Sequence, residues 1–256
     1  MGLPRCVAVM NGKGGVGKTS IVANVGALAA AAGYRVLLVD LDPQGNLAED
    51  LGYTGADIDD EGQALFAAVA TGTPATISGS ARERLDVVAA GERTEELEGL
   101  LNMRRQRTPA TTVAAIRDAL QPISDNYDLI LLDCPPGGAA LQDAALGAAR
   151  WLIIPSKTDA SSRKGLRTIA RRFVEARNAG ADVDLLGVVL FGAGSSATSI
   201  REQAREELSS DLGGVAPVLD TVVRHSEASA RASRRDGRVV HELEADAANL
   251  PSWYER

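Results

Sequence analysis

The stretch Asn11-Gly12-Lys13-Gly14-Gly15-Val16-Gly17-Lys18-Thr19-Ser20 has the residue types and spacing of a polyphosphate cradle. Gly12, Gly17, Lys18 and Thr19 occupy the fixed positions of G-x-x-x-x-G-K-[ST]. A glycine-rich turn lets successive backbone N–H groups point inward at phosphate oxygens, and a helix starting near Thr19 adds the positive end of its dipole. Lys18 is expected to reach the β- and γ-phosphates and the Thr19 hydroxyl to ligate Mg²⁺, with Gly14, Gly15, Val16 and Ser20 completing the cradle. Lys13 is a second cation inside the loop that the general pattern does not require.

Such a loop works only between a strand and a helix. The short apolar run 6–10 suits a buried parallel strand, and Ile21–Ala32, closed by Gly33, suits a buried helix. Carboxylates end two further apolar runs. Asp40 and Asp42 follow Val36–Val39, and Asp133 follows Leu129–Leu132. In an open parallel sheet, ligands bind beyond the carboxyl ends of the strands, so all three acids belong on the rim of the phosphate loop. Asp133 and Asp40 are expected at the metal with Thr19. Asp42, two residues further on, is free to orient water at the γ-phosphate. Lys18 and Asp42 are therefore expected to act on the γ-phosphate.

Apolar runs alternate with helical stretches along the chain. Strands are expected at 6–10, 35–40, 85–89, 127–133, 151–155, 185–191 and 218–223. Helices are expected at 63–70, 109–121, 139–149, 161–178, 197–210 and 226–233, with loops at 52–62 and 72–80. This is the pattern of an α/β protein: a doubly wound, mostly parallel β-sheet flanked by helices, here read as a single domain over 1–256. Apolar residues make up 45% and charged residues 24% of the 256, as in ordinary globular domains. No run approaches the ~20 apolar residues of a membrane helix, and the first residues lead straight into a strand, so neither a span nor a signal peptide is expected. Cys6 and Cys134 fall in core strands and read as buried hydrophobes in a reducing cytoplasm. A formal net charge of −7 argues against indiscriminate nucleic-acid binding by the whole surface but leaves room for a local basic patch.

Three blocks together resemble the ParA/MinD family of deviant Walker ATPases, the deviant type of phosphate-loop NTPase: Lys13–Thr19, Val39-Asp40-Leu41-Asp42-Pro43-Gln44-Gly45-Asn46 and Leu132-Asp133-Cys134-Pro135-Pro136. The resemblance continues through 152–155, 187–190 and 223–228 and is weakest over 52–125. It implies that Lys13 is the signature lysine, reaching across an ATP-induced sandwich homodimer to the partner's phosphates. The acidic tail, broken by Pro251, is unlike the basic amphipathic helix of membrane-cycling members, so no membrane partner is expected. Paired cysteines of iron–sulfur relatives and a terminal tyrosine cluster are both missing from the sequence. The partition branch remains.

That branch implies sequence-blind binding of double-stranded DNA, and two segments carry the arginines for it. Arg163, Lys164, Arg167 and Arg171 share one face of the helix over 161–173. Leu166, Ile169, Ala170 and Phe173 fall opposite and are expected to pack on the sheet. Arg231, Arg234, Arg235 and Arg238 form the second group, with Arg201 as a further candidate. Neither segment interleaves aromatics, so phosphate contacts alone are expected. Pro136, the segment 192–196 and Arg224 lie at strand ends where they can line the nucleotide. The expected activity is slow ATP hydrolysis with Mg²⁺ in a cytoplasmic, nucleoid-associated partition ATPase, released from DNA when a ParB-like centromere-binding partner stimulates turnover. The alternatives are a ParA-like ATPase positioning a non-DNA cargo and an NTP-dependent small-molecule enzyme of the dethiobiotin-synthetase type. The Asp42-Pro43-Gln44 block and the basic helix speak against the latter.

Overall fold

The computed structural model describes residues 1–157, 159–193, 198–212, 217–224 and 226–246, with the side chains at 160–164, 193, 198–201, 204, 211–212 and 244–246 outside the description. In chain order the elements are β1 (Leu3–Val9), α1 (Lys18–Ala31), β2 (Val36–Asp40), α2 (Asn46–Leu51), α3 (Gln63–Thr71), β3 (Gly79–Arg82), β4 (Leu85–Val88), α4 (Glu92–Arg107), α5 (Pro109–Ser124) and β5 (Leu129–Asp133). The second half contributes α6 (Ala139–Ala148), β6 (Ala149–Ser156), α7 (Ala160–Asn178), β7 (Asp184–Ala193), α8 (Thr198–Leu212), β8 (Val218–Arg224), α9 (Glu227–Asp236) and α10 (Val240–Asp246). Among the described residues the strands form one eight-stranded sheet in the order β3-β4-β2-β5-β1-β6-β7-β8. All neighbours are parallel except the edge pair β3–β4.

The central strands are buried on both faces, which is why β2 reads Val-Leu-Leu-Val-Asp with no polar alternation. One face carries α3 to α8 over a core that includes Ile116, Leu120, Leu141 and Ile169. The other carries α1 and α2 over Val22, Leu38, Leu47 and Leu131. Val239, next to α10, closes that second core, so the last described segment crosses back onto the α1–α2 face.

The expected doubly wound sheet is present, and each expected strand has its counterpart. Four elements differ from the sequence reading, the first being α2, whose six residues are too few to show a helical period. β3 begins inside the expected 72–80 loop. It is a four-residue edge strand, Gly-Ser-Ala-Arg, without an apolar face to betray it. α4 was not expected because its sequence, Glu-Arg-Thr-Glu-Glu-Leu-Glu-Gly-Leu-Leu-Asn-Met-Arg-Arg-Gln-Arg, is charged almost all round. Only Thr94, Leu97 and Leu101 are buried on it. α10 lies in what reads as an acidic tail, of which 247–256 lie outside the described residues. On α7, Ala170 faces solvent rather than the sheet, because Leu166, Ile169 and Ala176 define the buried stripe.

Candidate nucleotide site

Strand register brings the acids together. Asp40 and Asp133 are paired positions at the ends of neighbouring strands β2 and β5, and Asp133 also pairs with Val9, from which the chain enters the phosphate loop. Three of the four oxygens of these carboxylates are buried without a hydrogen-bond partner: Asp40 Oδ2 and both oxygens of Asp133. Asp40 Oδ1 accepts the Asp42 N–H at 2.9 Å. Burial pushes the Asp133 carboxyl up to about 7, and the Thr19 hydroxyl and Lys18 ammonium oppose the shift. The hydroxyl lies near enough to stabilise the carboxylate, yet no bond of ordinary geometry closes. Burial, then the charge of Asp133, raises Asp40 well above the usual carboxylate range. Each unpartnered buried polar group costs about 1–3 kcal/mol, so the chain holds this arrangement at the expense of stability.

Facing the acids is a buried Lys18, whose Nζ donates to the Lys13 carbonyl at 3.4 Å. Burial lowers its pKa, while Asp133 and Asp42 pull the other way. Gly17 caps α1 with φ +87°, a left-handed conformation that L side chains rarely adopt, and any Cβ there would overlap the Phe191 ring from β7. Gly15 is also left-handed, and Gly14 and Gly15 are exposed with open space before them, so the rim of the cradle faces solvent. Val16 is fully buried and anchors the loop from below. Gly12, Thr19 and Ser20 are half-buried around it. Asp42 accepts the Gln44 N–H at 3.1 Å in a tight turn, and Gly45 rather than Asp42 caps α2, so the carboxylate is not a helix cap.

Lys13 does not point into its own loop. Its Nζ donates to both oxygens of Asp159, at 2.8 and 2.9 Å, just beyond β6. Asn11 fixes the loop to the same strand. Its Nδ2 donates to the Pro155 carbonyl at 2.7 Å and its Oδ1 accepts the Lys13 N–H at 2.9 Å. Gly165 on α7 lies so close that a Cβ there would strike Asn11 Oδ1. Sequence reasoning assigned no role to Asn11, Asp159, Gly165 or Phe191. The first two sit at strand ends, where the rule that found Asp40 applies, whereas Gly165 and Phe191 carry no local signal.

The remaining expected site residues are scattered. Pro136 is half-buried in the turn after β5, on the same rim. Arg224 is exposed at the end of β8, which lies three strand positions from β1, or about 14 Å at the usual spacing, so it is not brought to the phosphate loop. Of 192–196, residues 194–196 lie outside the described residues. Arg163, Lys164 and Arg201 stand on α7 and α8, and their side chains also lie outside the description. Arg167 and Arg171 are exposed, the latter 3.7 Å from Glu175. On α9, Arg231 is 84% exposed and lies 3.6 Å from Glu227, and Arg235 is 75% exposed and donates to both oxygens of Asp236 at 2.7 and 2.8 Å. Arg234 instead turns to Asp50 at 3.4 Å and Arg238 donates to the Glu242 carbonyl at 2.7 Å, so neither is a simple outward charge. Among the described residues no helix is long and apolar enough to cross a membrane.

A strand–glycine loop–helix unit with acids at neighbouring strand ends, on a sheet of this order, defines a phosphate-loop NTPase fold. An AAA domain family model matches residues 4–183. The chain is 32% identical over 230 residues to the chromosome partitioning protein ParA of Caulobacter vibrioides, covering 86% of this chain and 80% of that protein. Among solved structures, apo McdA from Cyanothece superposes with a TM-score of 0.80 at 20% identity, over 94% of each chain. Cobyrinic acid a,c-diamide synthase from Mycobacterium smegmatis, with bound ATP analog and magnesium, superposes with a TM-score of 0.71 at 27% identity, over 98% of this chain and 99% of that one. The chain belongs to the ParA/MinD family of ATPases.

Proposed function

We propose that the protein, read as one ATPase domain over 1–256, is a DNA-partition ATPase. ATP closes a homodimer, the dimer holds double-stranded DNA without sequence preference, and a ParB-like partner triggers hydrolysis and release on the nucleoid. The observation that carries the nucleotide part is the buried carboxylate pair beside Lys18 and Thr19, three of whose four oxygens lack a hydrogen-bond partner. Its deficit of cationic partners fits a magnesium–triphosphate. Thr19, Asp40 and Asp133 would hold Mg²⁺, which supplies charge neutralisation at the β- and γ-phosphate oxygens. The loop amides and Lys18 bind and orient the triphosphate, and Asp42 orients the attacking water. Pro136, on the rim beside Asp133, would line the nucleotide near its phosphates, and Arg224, at the end of β8, its base end.

Lys13 is the dimer sensor in this reading. In the single chain it is held by Asp159, so reaching a partner's phosphates requires exchange of one anionic partner for another. Because the Asp159 pair is exposed, that exchange is cheap, of the order of 0–1 kcal/mol. Partition of DNA is supported by the named role of the Caulobacter relative and by the exposed arginines of α7 and α9. Sedimentation velocity with ATP and Mg²⁺ tests the dimer. The wild type is expected to shift from one copy to two with ATP but not ADP, and Lys13→Ala to stay single. A variant that pairs as readily as the wild type removes Lys13 from the interface.

The likeness to cobyrinic acid a,c-diamide synthase favours a second reading, an NTP-dependent enzyme acting on a small molecule. Random duplex DNA that leaves ATP turnover unchanged, together with a carboxylic-acid metabolite that accelerates it, would select this reading over partition.

A further inference from the structure

We propose that Arg82 is a positioning residue that fastens α9 to the elements bearing the phosphate site, so that nucleotide occupancy is transmitted to the arginines of α9. The proposal rests on the DNA-binding reading above. Arg82 ends the edge strand β3, and its guanidinium uses all five N–H groups. Nε and one terminal nitrogen grip the Glu242 carboxylate of α10 at 2.7 and 3.2 Å. That same nitrogen donates to the Gly237 carbonyl, at the end of α9, at 2.8 Å. The other terminal nitrogen donates to the Leu51 carbonyl, the last residue of α2, at 2.9 Å and to the Ala81 carbonyl at 2.7 Å. One side chain thus ties the C-terminal ends of α2 and α9 together. Glu242 in turn accepts the Val239 N–H at 3.0 Å.

Two further contacts make the joint close. Gly52 and Gly237 both have left-handed backbones, φ +73° and +61°, and meet back to back. A Cβ on Gly52 would lie 2.7 Å from the Gly237 carbonyl oxygen. Arg234 of α9 reaches the buried carboxylate of Asp50 on α2. The joint also touches the phosphate-loop helix. Asn24 donates to the Ser20 carbonyl at 2.8 Å and accepts the Val240 N–H at 3.0 Å. α2 follows the Asp40–Gln44 turn directly, and α1 begins at Lys18. A shift of either element on engaging a triphosphate is therefore handed to α9 through polar contacts of fixed geometry. This separates the α9 arginines by task. Arg234 and Arg238 hold the joint, and Arg231 and Arg235 face outward.

Arg82→Gln and Arg82→Lys test the proposal, because lysine keeps the charge but cannot make the planar five-bond fork. Two quantities are read: affinity for random duplex DNA with and without a non-hydrolysable ATP analogue, and hydrogen exchange of amides 227–236 with and without the analogue. Both variants should bind the analogue without DNA within about twofold of wild type yet lose most of its enhancement of DNA binding, about tenfold or more, with no rescue by lysine. In wild type the analogue should change α9 exchange, and in the variants it should not. If wild-type α9 exchange ignores the analogue, or both variants respond as wild type does, the proposal is overturned, whatever happens on DNA. If wild-type DNA affinity ignores the analogue while α9 exchange responds, the partition reading fails and the joint stands. Should the Arg82 variants not fold, Glu242→Gln removes the carboxylate charge from the same joint and is read identically.

Discussion

Helices α7 and α9 look alike in sequence, each a short run of arginines at helical spacing, and they are attached to the molecule in opposite ways. α7 is anchored by apolar side chains. Leu166, Ile169 and Ala176 are buried in the main core, Arg172 is only 17% exposed over Asp143, and Gly165 abuts the phosphate loop. α9 buries only Ser229 and Ser233, and polar contacts hold it: the Ser226 cap, the Arg234–Asp50 pair and the Arg82 fork. Apolar packing fixes a helix in place, whereas a polar joint on few buried carbons opens at lower cost. α7 thus packs firmly against the phosphate loop, whereas α9 is held by the polar joint through which we propose it senses that loop. Equal charge in a sequence does not mean equal duty in a structure.

Four experiments sharpen or break that contrast. Ile169→Ala on α7 should cost about 2–5 kcal/mol of global stability, read as a lower denaturant midpoint. No single truncation on α9 should approach that, and one that did would erase the distinction. Arg231→Glu with Arg235→Glu should weaken DNA retention about 100-fold at low salt and flatten the salt dependence by about two units of slope, with ATP affinity unchanged. The paired change Arg167→Glu and Arg171→Glu on α7 should cost less than about tenfold. A larger loss there than on α9 would move the DNA face to α7. The smallest effect is expected from Ser233→Ala, which removes a hydroxyl bond to the Arg238 carbonyl and should lower stability by about 0.5–1.5 kcal/mol while speeding α9 amide exchange.

The contrast also marks what the sequence makes legible. The phosphate loop, Asp40 and Asp133 could be placed because an apolar run ending in an acid fixes a strand, its direction and its rim together. The fate of each arginine could not be placed, because its partner arrives from elsewhere in the chain. Asp50 meets Arg234 across 184 residues and Glu242 meets Arg82 across 160, and no local pattern encodes such pairs. The Lys13–Asp159 pair, 146 residues apart, escaped notice for the same reason. β3 and α4 were missed on other grounds. One is too short and polar to show a period of two, and the other is charged on the faces where a stripe would show.

The most direct test of the account is the anisotropy of a labelled random duplex titrated with the protein in ATP and Mg²⁺, in ADP and Mg²⁺, and without nucleotide. The account predicts tight, salt-sensitive binding with ATP alone. Equal affinity in all three conditions, or no binding in any, contradicts it.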